Sequence, residues 1–432
     1  MLMPLSLLTY SRNFNMENKY CLIGPFTQLI SLEGLPPKGA LKDDDLQLIF
    51  QAGLLMKGEK IHEVGTFQSL QAEAAQLGAS VIVLEGDYVC LPGFIDAHTH
   101  ICFSGSRARD YAMRNAGQTY LDISRAGGGI WDTVTQTRKI SLEELTSLTS
   151  QRAAQYLREG VTTIEVKSGY GLSVSEELKM LRAIKLADQS CVADLISTCL
   201  AAHILPKDYS GDALSYLKEI SEKLFPVLVE EQLSTRIDAF IEESAFSEDE
   251  ISGYFMEAKR YGFDITVHAD QFSVGGSSVA INFNALSADH LEAITEEQIA
   301  LMAKSETIAV ALPGASIGLG CPFAPARKIL DAGIALAIAS DWNPGSAPMG
   351  DLLCQAAILG AFEKLSAAEV LSGITFRAAN ALGLSDRGRL VPGYLADFNL
   401  FPTDNYQEIL YHQGKLKPAQ VWKKGACMHS TL

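Results

Sequence analysis

The chain has 432 residues, of which 47% are hydrophobic, and its formal net charge at pH 7 is −16. This length exceeds one small domain, because domains typically contain about 100–200 residues. The electrostatic field of a protein with this negative net charge repels nucleic acid and anionic lipid, so both are disfavoured as partners. An anionic substrate would need a local basic group to bind it.

The first residues and the cysteines bear on where the protein works. Residues 1–15 begin with an apolar run that has neither a preceding basic residue nor a clear cleavage site, so we expect a loose extension there. The eight cysteines form no CxxC pair and lie scattered through apolar segments. This pattern favours buried thiols in a reducing cytoplasm. No apolar run reaches the roughly 18 residues of a membrane span, so we expect no membrane association.

Short apolar runs alternate with longer stretches of helical periodicity through the middle of the chain. The apolar runs predict strands at Gly93–Ala97, Val161–Val166, Leu195–Ala201, Arg236–Ile241, Phe263–Val267, Ala285–Ala288, Thr307–Leu312 and Ile334–Ala339. The stretches between and after them predict helices at Leu142–Glu159, Ser175–Asp188, Asp212–Glu222, Glu248–Tyr261, Thr295–Lys304, Ala324–Asp331 and Leu352–Phe362. This order predicts an α/β fold, a parallel (β/α)₈ barrel of the TIM type. The main alternative is an open doubly wound sheet, but no GxGxxG turn follows the first strand.

Both ends of the chain differ from this middle part. Residues 21–86 and 388–425 contain β-rich pieces and turns, and neither segment makes a domain-sized core alone. We therefore predict that residues 16–90 and 388–432 pair into one small β-sandwich-like domain. The catalytic barrel would then comprise residues 91–387.

Titratable side chains follow seven of the eight predicted strands, at the position where barrel enzymes have their active sites. His98 and His100 lie two apart on an extended chain, so both face one side and can bind one divalent metal. His268 and Asp341 end two other strands, and a buried carboxylate is costly unless it is paired or bound to metal. His290 also ends a strand, where it can hydrogen-bond a reacting water or an oxyanion, or be a plain core histidine. The pattern indicates a metal centre.

Basic and aromatic residues lie near these histidines. Arg107 and Arg109 follow directly, and a guanidinium fork suits a carboxylate. Spacing does not choose between them, and surface pairing with Asp110 is an alternative. Other side chains that can hold a small polar ligand, or simply pack, are Tyr120, Tyr170 and His203.

Several motifs together resemble a known family. "PGFIDAHTH", "VHAD", "SADH" and "ASDWNPGS" resemble the amidohydrolase superfamily. Within it, "FSGSRARDYAMR", "GGGIWDTVTQTR", "EVKSGYG" and "HADQFSVGGSSVA" resemble the imidazolonepropionases. The similarity covers roughly residues 20–425.

The resemblance implies a reaction and a set of site residues. The reaction is hydrolysis of the cyclic amide of 4-imidazolone-5-propanoate to N-formimidoyl-L-glutamate in histidine catabolism, in a cytoplasmic homodimer with one Zn or Fe ion. The implied metal ligands are His98, His100, His268 and Asp341, and His290 is implied to lie near the reacting water. The implied substrate contacts are Arg107, Tyr120, Tyr170, His203, Asn343, Gly345 and Ser346.

One position departs from the family pattern. Residue 271 is Gln, where some members have Glu, and an amide can orient a water but cannot take its proton. We therefore expect Asp341 or His290 to be the base and Gln271 to orient the water. Two alternatives are a deaminase of the same superfamily that acts on an aromatic heterocycle, and a non-catalytic barrel that binds a metabolite. A neutral base would not need Arg107, and a non-catalytic barrel would not need stoichiometric metal.

Overall fold

The structure is a computed structural model that describes residues 19–431, so the predicted extension at residues 1–15 lies outside the described residues. The strands are β1 Tyr20–Ile30, β2 Leu48–Lys57, β3 Lys60–Thr66, β4 Ser80–Val83, β5 Val89–Pro92, β6 Phe94–Asp96, β7 Val161–Lys167, β8 Asp194–Ala202, β9 Arg236–Phe240, β10 Asp264–Ala269, β11 Ser287–His290, β12 Ile308–Ala311, β13 Leu336–Ile338, β14 Phe398–Phe401, β15 Gln420–Lys423 and β16 Ala426–Ser430.

The helices fill the intervals between most of these strands. They are α1 Phe67–Gln76, α2 Ala108–Asn115, α3 Tyr120–Arg125, α4 Ile130–Lys139, α5 Leu142–Arg158, α6 Val174–Ser190, α7 Ala213–Glu230, α8 Glu248–Arg260, α9 Gly276–Asn282, α10 Glu296–Met302, α11 Pro313–Leu319, α12 Ala326–Asp331, α13 Leu352–Glu363, α14 Ala367–Gly373, α15 Phe376–Ala381 and α16 Gln407–Tyr411. Within residues 19–431, no helix combines the length and hydropathy that crossing a bilayer would require.

Strands β6 to β13 form the predicted barrel. They lie side by side in chain order, and each is parallel to the next. The segments that directly follow the first and last strands meet, because Thr99 pairs with Trp342 and the Asp341 N–H donates to the His98 carbonyl at 3.0 Å. The sheet therefore curves until its two edges join, and the residues that join them include the predicted metal ligands.

Local sequence explains where the outer helices begin. Ser141 and Ser247 cap α5 and α8, each in a capping box with a glutamate three residues later. Helix α7 runs further than the predicted Asp212–Glu222 and continues through Pro226, because its apolar face remains buried as far as Leu228.

The sixth barrel strand lies later than predicted. The run Ala285–Ala288 predicts it, but Ala285 still donates to the carbonyl of Ala280 at the end of α9. The strand runs instead from Ser287 to His290, so it includes two polar residues that contact the ligand cluster.

A second sheet is built from both ends of the chain, in the order β16-β15-β14-β5-β1-β2-β3, with β4 beside β1. β5 and β14 join the two ends as an antiparallel pair. One face packs Leu22 and Leu55 against α1, and the other packs Leu54 with Phe398 and Trp422. The domain boundaries given above stay a prediction.

The chain passes from this second sheet into the barrel at Gly93, between β5 and β6. The Gly93 N–H donates to the Asp397 carbonyl at 2.9 Å, and a Cβ on Gly93 would collide with Thr162. A glycine is therefore required at the crossing, and the crossing fixes where β6 presents the histidines that follow it.

Candidate active site

Four predicted metal ligands converge at the carboxyl ends of β6, β10 and β13. The Nε2 atoms of His98 and His268 each lie 3.3 Å from Nε2 of His100. Asp341 Oδ1 lies 3.4 Å from Nε2 of His100 and 3.7 Å from Nε2 of His98. All four side chains are buried.

This arrangement fits a divalent metal ion. The donor atoms of His98, His100 and Asp341 all lie within 4.8 Å of one another, so this trio could hold a metal ion. The donor atoms of His98, His268 and His290 meet the same limit. Burial lowers the pKa of His98 and His100 well below its usual value and that of His268 to about 3, so the imidazoles are neutral and each offers a lone pair. Three neutral imidazoles and one carboxylate suit Zn²⁺ or Fe²⁺.

Two buried carboxylates orient two of these histidines. Asp289 Oδ2 lies 2.6 Å from Nδ1 of His98. Asp238 Oδ2 lies 2.9 Å from Nδ1 of His268, and Asp238 Oδ1 accepts the backbone N–H of His268 at 3.2 Å. Because an ionised carboxylate only accepts, the proton of each ring belongs on Nδ1, and Nε2 is left to face the centre of the cluster.

A single buried lysine lies beneath the cluster. Lys167 Nζ lies 2.8 Å from Glu165 Oε1, 2.9 Å from Asp238 Oδ2 and 3.8 Å from Asp289 Oδ2. Glu165 Oε2 in turn accepts the N–H of Thr99, the residue between the two β6 histidines, at 3.1 Å. Burial lowers the pKa of Lys167, but Asp238 and Glu165 outweigh burial and raise it, so this ammonium stays charged.

Glu165 and Asp238 were not among the predicted site residues. Glu165 and Asp238 lie in otherwise buried strands, and a carboxylate there is costly unless it is paired. That charge inside an apolar run is the signal that could have found them.

The loop after β13 is tied together by its own side chains. Asn343 Nδ2 donates to the Asp341 carbonyl at 2.7 Å, and Asn343 Oδ1 accepts the N–H groups of Gly345 and Ser346 at 2.7 and 2.8 Å. Ser346 Oγ lies 3.3 Å from Asp341 Oδ2. Burial raises the pKa of Asp341 to about 7. Three of the predicted substrate contacts thus hold the loop that carries a predicted ligand.

The structure distinguishes the two arginines that spacing could not. Arg107 lies against Gly345, where a Cβ would collide with its Nη1, and its Nε donates to Asp110 Oδ2 at 2.8 Å. Arg109 is exposed and donates to the Ala126 carbonyl at 3.2 Å. Arg107, rather than Arg109, therefore reaches the loop of Asp341.

Two further predicted contacts flank the cluster. The ring centroids of Tyr170 and His203 lie 5.9 and 5.6 Å from that of His100. Burial lowers the pKa of His203 to about 4, and its Nδ1 lies 2.9 Å from the Gly169 carbonyl. Because a carbonyl only accepts, Nδ1 donates and Nε2 is left as an acceptor.

The structure says less about two other predicted residues. Tyr120 begins α3, but its side chain lies outside the described part of the structure. Gln271 is half-buried in the loop after β10, and its side chain makes no hydrogen bond with the described residues.

His290 completes the cluster at the end of β11. Its ring centroid lies 5.4 Å from that of His268, and its Nδ1 lies 3.5 Å from Glu292. Burial lowers the pKa of His290, but Glu292 and Asp341 outweigh it and raise the pKa above its usual value. The backbone φ of His290 is 87°, a value that residues other than glycine rarely adopt. Such constrained backbone is typical of functional residues.

Comparisons with known proteins identify the family of this chain. The model of the amidohydrolase family matches residues 89–428. An imidazolonepropionase of Pseudomonas aeruginosa (strain UCBPP-PA14) is 40% identical over 384 residues, which cover 88% of this chain and 94% of the relative. One of Paracoccus denitrificans (strain Pd 1222) is 39% identical over 369 residues, 85% of this chain and 92% of the relative.

A solved structure shows the same fold at low identity. Atrazine chlorohydrolase TrzN from Arthrobacter aurescens TC1, complexed with zinc, has a TM-score of 0.68 and 15% identity, and the match covers 95% of both chains. At this identity the likeness supports the fold alone. The family match over most of the chain, with relatives near 40% identity over almost their whole length, makes this chain a member of the amidohydrolase family and, within it, of the imidazolonepropionases.

Proposed function

We propose that the protein hydrolyses the cyclic amide of 4-imidazolone-5-propanoate to N-formimidoyl-L-glutamate, with one Zn²⁺ or Fe²⁺ ion held by His98, His100, His268 and Asp341. One observation carries this proposal: a metal-ligand set and an arginine meet at the same loop, because Asp341 begins it and Arg107 lies against Gly345 within it. The names of the relatives support the substrate class.

The anionic end of the substrate is assigned to Arg107. Its Nη1 and Nη2 have no acceptor among the described residues, so the fork is open to a carboxylate. Binding the propanoate there holds the ring towards the histidine cluster, with Tyr170 and His203 beside it, and positioning of this kind removes much of the entropic barrier. The arginine also supplies the local positive charge that an acidic protein lacks overall.

The reacting end is assigned to Asp341, His290 and Gln271. A bound divalent metal lowers the pKa of water from 15.7 to about 7 and polarises a carbonyl. Asp341 Oδ2 takes a proton from the attacking water and delivers it to the ring nitrogen as the carbon–nitrogen bond breaks. His290 donates to the oxygen on which negative charge develops, and Gln271 orients the water.

We also propose that the enzyme works in the cytoplasm as a homodimer. All eight cysteines are free, and four of them are buried, which suits a reducing compartment. Size-exclusion chromatography with light scattering tests the dimer, and a monomeric mass at micromolar concentration would contradict it.

The substrate is tested on purified protein supplied with Zn²⁺ or Fe²⁺. We expect the absorbance of imidazolone propionate to decay and N-formimidoyl-L-glutamate to accumulate in equal amount by mass spectrometry. A sample stripped with a chelator should be inactive and should recover when metal is returned. Deamination of an aromatic heterocycle without turnover of imidazolone propionate would favour the deaminase alternative, and inactivity on both by a metal-free protein would favour the non-catalytic barrel.

A further inference from the structure

We infer that Asp110 is a positioning residue that aims Arg107 at the carboxylate of the substrate, by holding its Nε and leaving its two terminal nitrogens free. The inference rests on the proposed function for the class of substrate, a small carboxylate. Asp110 itself is not expected to touch the substrate.

Asp110 is a buried carboxylate that fixes the position of Arg107 through hydrogen bonds. It is buried, with a relative exposure of 6%, and its Oδ2 accepts both from Arg107 Nε and from the Gly129 N–H, each at 2.8 Å. A Cβ on Gly128 would collide with the carboxylate, so the backbone approaches it closely. Asp110 therefore ties the arginine at the start of α2 to the backbone at the start of α4.

Because Asp110 binds Nε of Arg107, the two terminal nitrogens of the guanidinium remain free to bind a substrate. A guanidinium has five N–H donors in a rigid plane. A carboxylate can bind it at the edge that contains Nε or at the edge formed by Nη1 and Nη2. Asp110 occupies Nε, and Nη1 and Nη2 have no acceptor within the described part of the chain. The end of the fork is thus left for a second carboxylate.

Gly345 adds an independent restraint on the same side chain. Arg107 Nη1 lies over the Cα of Gly345, and a Cβ there would displace it. The buried carboxylate of Asp110 therefore holds Nε of the arginine, and the lack of a side chain on Gly345 leaves room for its Nη1. Because the Gly345 N–H donates to Asn343 Oδ1 at 2.7 Å, this second restraint belongs to the loop of Asp341, whereas Asp110 connects the arginine to the start of α4.

The test measures binding of two probes to the metal-loaded full-length protein by isothermal titration calorimetry. The probes are 3-(imidazol-4-yl)propanoate and its neutral amide, which share the ring and differ in charge. The wild type should bind the carboxylate more tightly than the amide. Asp110→Ala should raise the Kd of the carboxylate about 10- to 100-fold, the range for a charge-assisted pair, and change that of the amide by less than about twofold.

Matched variants separate positioning from simple damage to the fold. Asp404→Ala removes an exposed carboxylate between β14 and α16, and it should leave both Kd values unchanged. Gly345→Ala should weaken carboxylate binding as Asp110→Ala does. If Asp110→Ala does not fold, Asp110→Asn keeps an acceptor for Gly129, and it should still reduce the preference for the carboxylate about 3- to 10-fold.

The outcomes keep this inference separate from the proposed function. An equal loss for both probes in Asp110→Ala, or an unchanged preference for the carboxylate, overturns the positioning role. A wild type that does not distinguish the probes overturns it as well. A wild type that prefers the carboxylate and loses this preference in Asp110→Ala supports the inference even if imidazolone propionate is not turned over, in which case only the proposed function fails. With turnover, a rise in KM with a smaller change in kcat is the expected kinetic counterpart.

Discussion

In the proposed reaction, the proton of the attacking water passes through Asp341, because Gln271 carries an amide that can orient a water but not accept its proton. Asp341 Oδ1 faces the imidazole nitrogens, whereas its Oδ2 lies 3.3 Å from Ser346 Oγ and keeps lone pairs for a water. Substitution of Asp341 should therefore lower kcat much more than substitution of Gln271.

Asp341→Asn should lower kcat by about 10²–10⁴-fold, the usual contribution of a general acid–base group, whereas Gln271→Ala should lower it by less than about tenfold. Steady-state kinetics on protein of matched metal content checks both. Equal losses in the two variants would contradict the assignment of the base.

Arg107 and Arg109 form a natural pair of variants, because they lie two residues apart and only the first reaches Gly345. Arg107→Ala should raise KM for imidazolone propionate at least about 100-fold, since a charge-assisted bidentate pair is lost. Arg109→Ala should leave KM within about twofold. A normal KM in Arg107→Ala would show that the carboxylate is bound elsewhere.

Among the elements, the barrel strands carry a charged group inside the core as well as the proposed metal ligands at their ends. Lys167 ends β7 and is fully buried among the carboxylates of Glu165, Asp238 and Asp289. An ion cluster of this kind is costly to break, because removal of one partner leaves unpaired buried charge. This mutual pairing is what allows a barrel of apolar strands to contain ionised residues at its centre.

Lys167→Met should lower the free energy of unfolding by about 3–5 kcal/mol, measured by urea denaturation of metal-free protein. Lys218→Met is the matched control, because Lys218 is exposed and pairs with Glu222 at 3.8 Å on the surface of α7. That control should change the free energy by less than about 0.5 kcal/mol. A small effect of Lys167→Met would mean that the cluster does not stabilise the barrel.

At the scale of the whole molecule, the barrel and the second sheet are joined by an ion cluster around Asp194, at the start of β8. Its carboxylate lies 2.8 Å from Lys423, 2.9 Å from Lys424 and 2.6 Å from Arg387. Burial raises the pKa of Asp194, but the two lysines outweigh burial and hold it well below its usual range. Stability from this contact is therefore present above the unfolded pKa of about 3.9 and is lost as the pH falls towards the folded value.

Asp194→Asn should lower the free energy of unfolding by about 2 kcal/mol at pH 7, between the values for buried and exposed pairs. The difference from wild type should shrink by about 1 kcal/mol at pH 3, because the carboxyl of the unfolded wild type is then protonated. Urea unfolding of metal-free protein at both pH values checks this, with the exposed Asp404→Asn as control. A difference independent of pH would contradict the role of this charge.

The sequence predicts the barrel, and it predicts that the proposed metal ligands meet at one end of it, because both depend on local patterns. An apolar run followed by a titratable residue marks where a strand ends, and parallel strands bring His98, His268 and Asp341 to one end of the barrel. The support for that cluster is not local: Lys167 meets Asp238 and Asp289, which lie on strands far away in the chain. The aim of Arg107 likewise depends on α2 to α4, which the apolar pattern did not predict.

Titration of metal-stripped protein with Zn²⁺ or Fe²⁺, while imidazolone propionate turnover is followed, shows whether hydrolysis requires a single metal ion held by the four proposed side chains. We expect no turnover without metal and a linear rise in activity that ends at one ion per chain. Activity in the metal-free protein, or a rise that continues to two ions per chain, would contradict it.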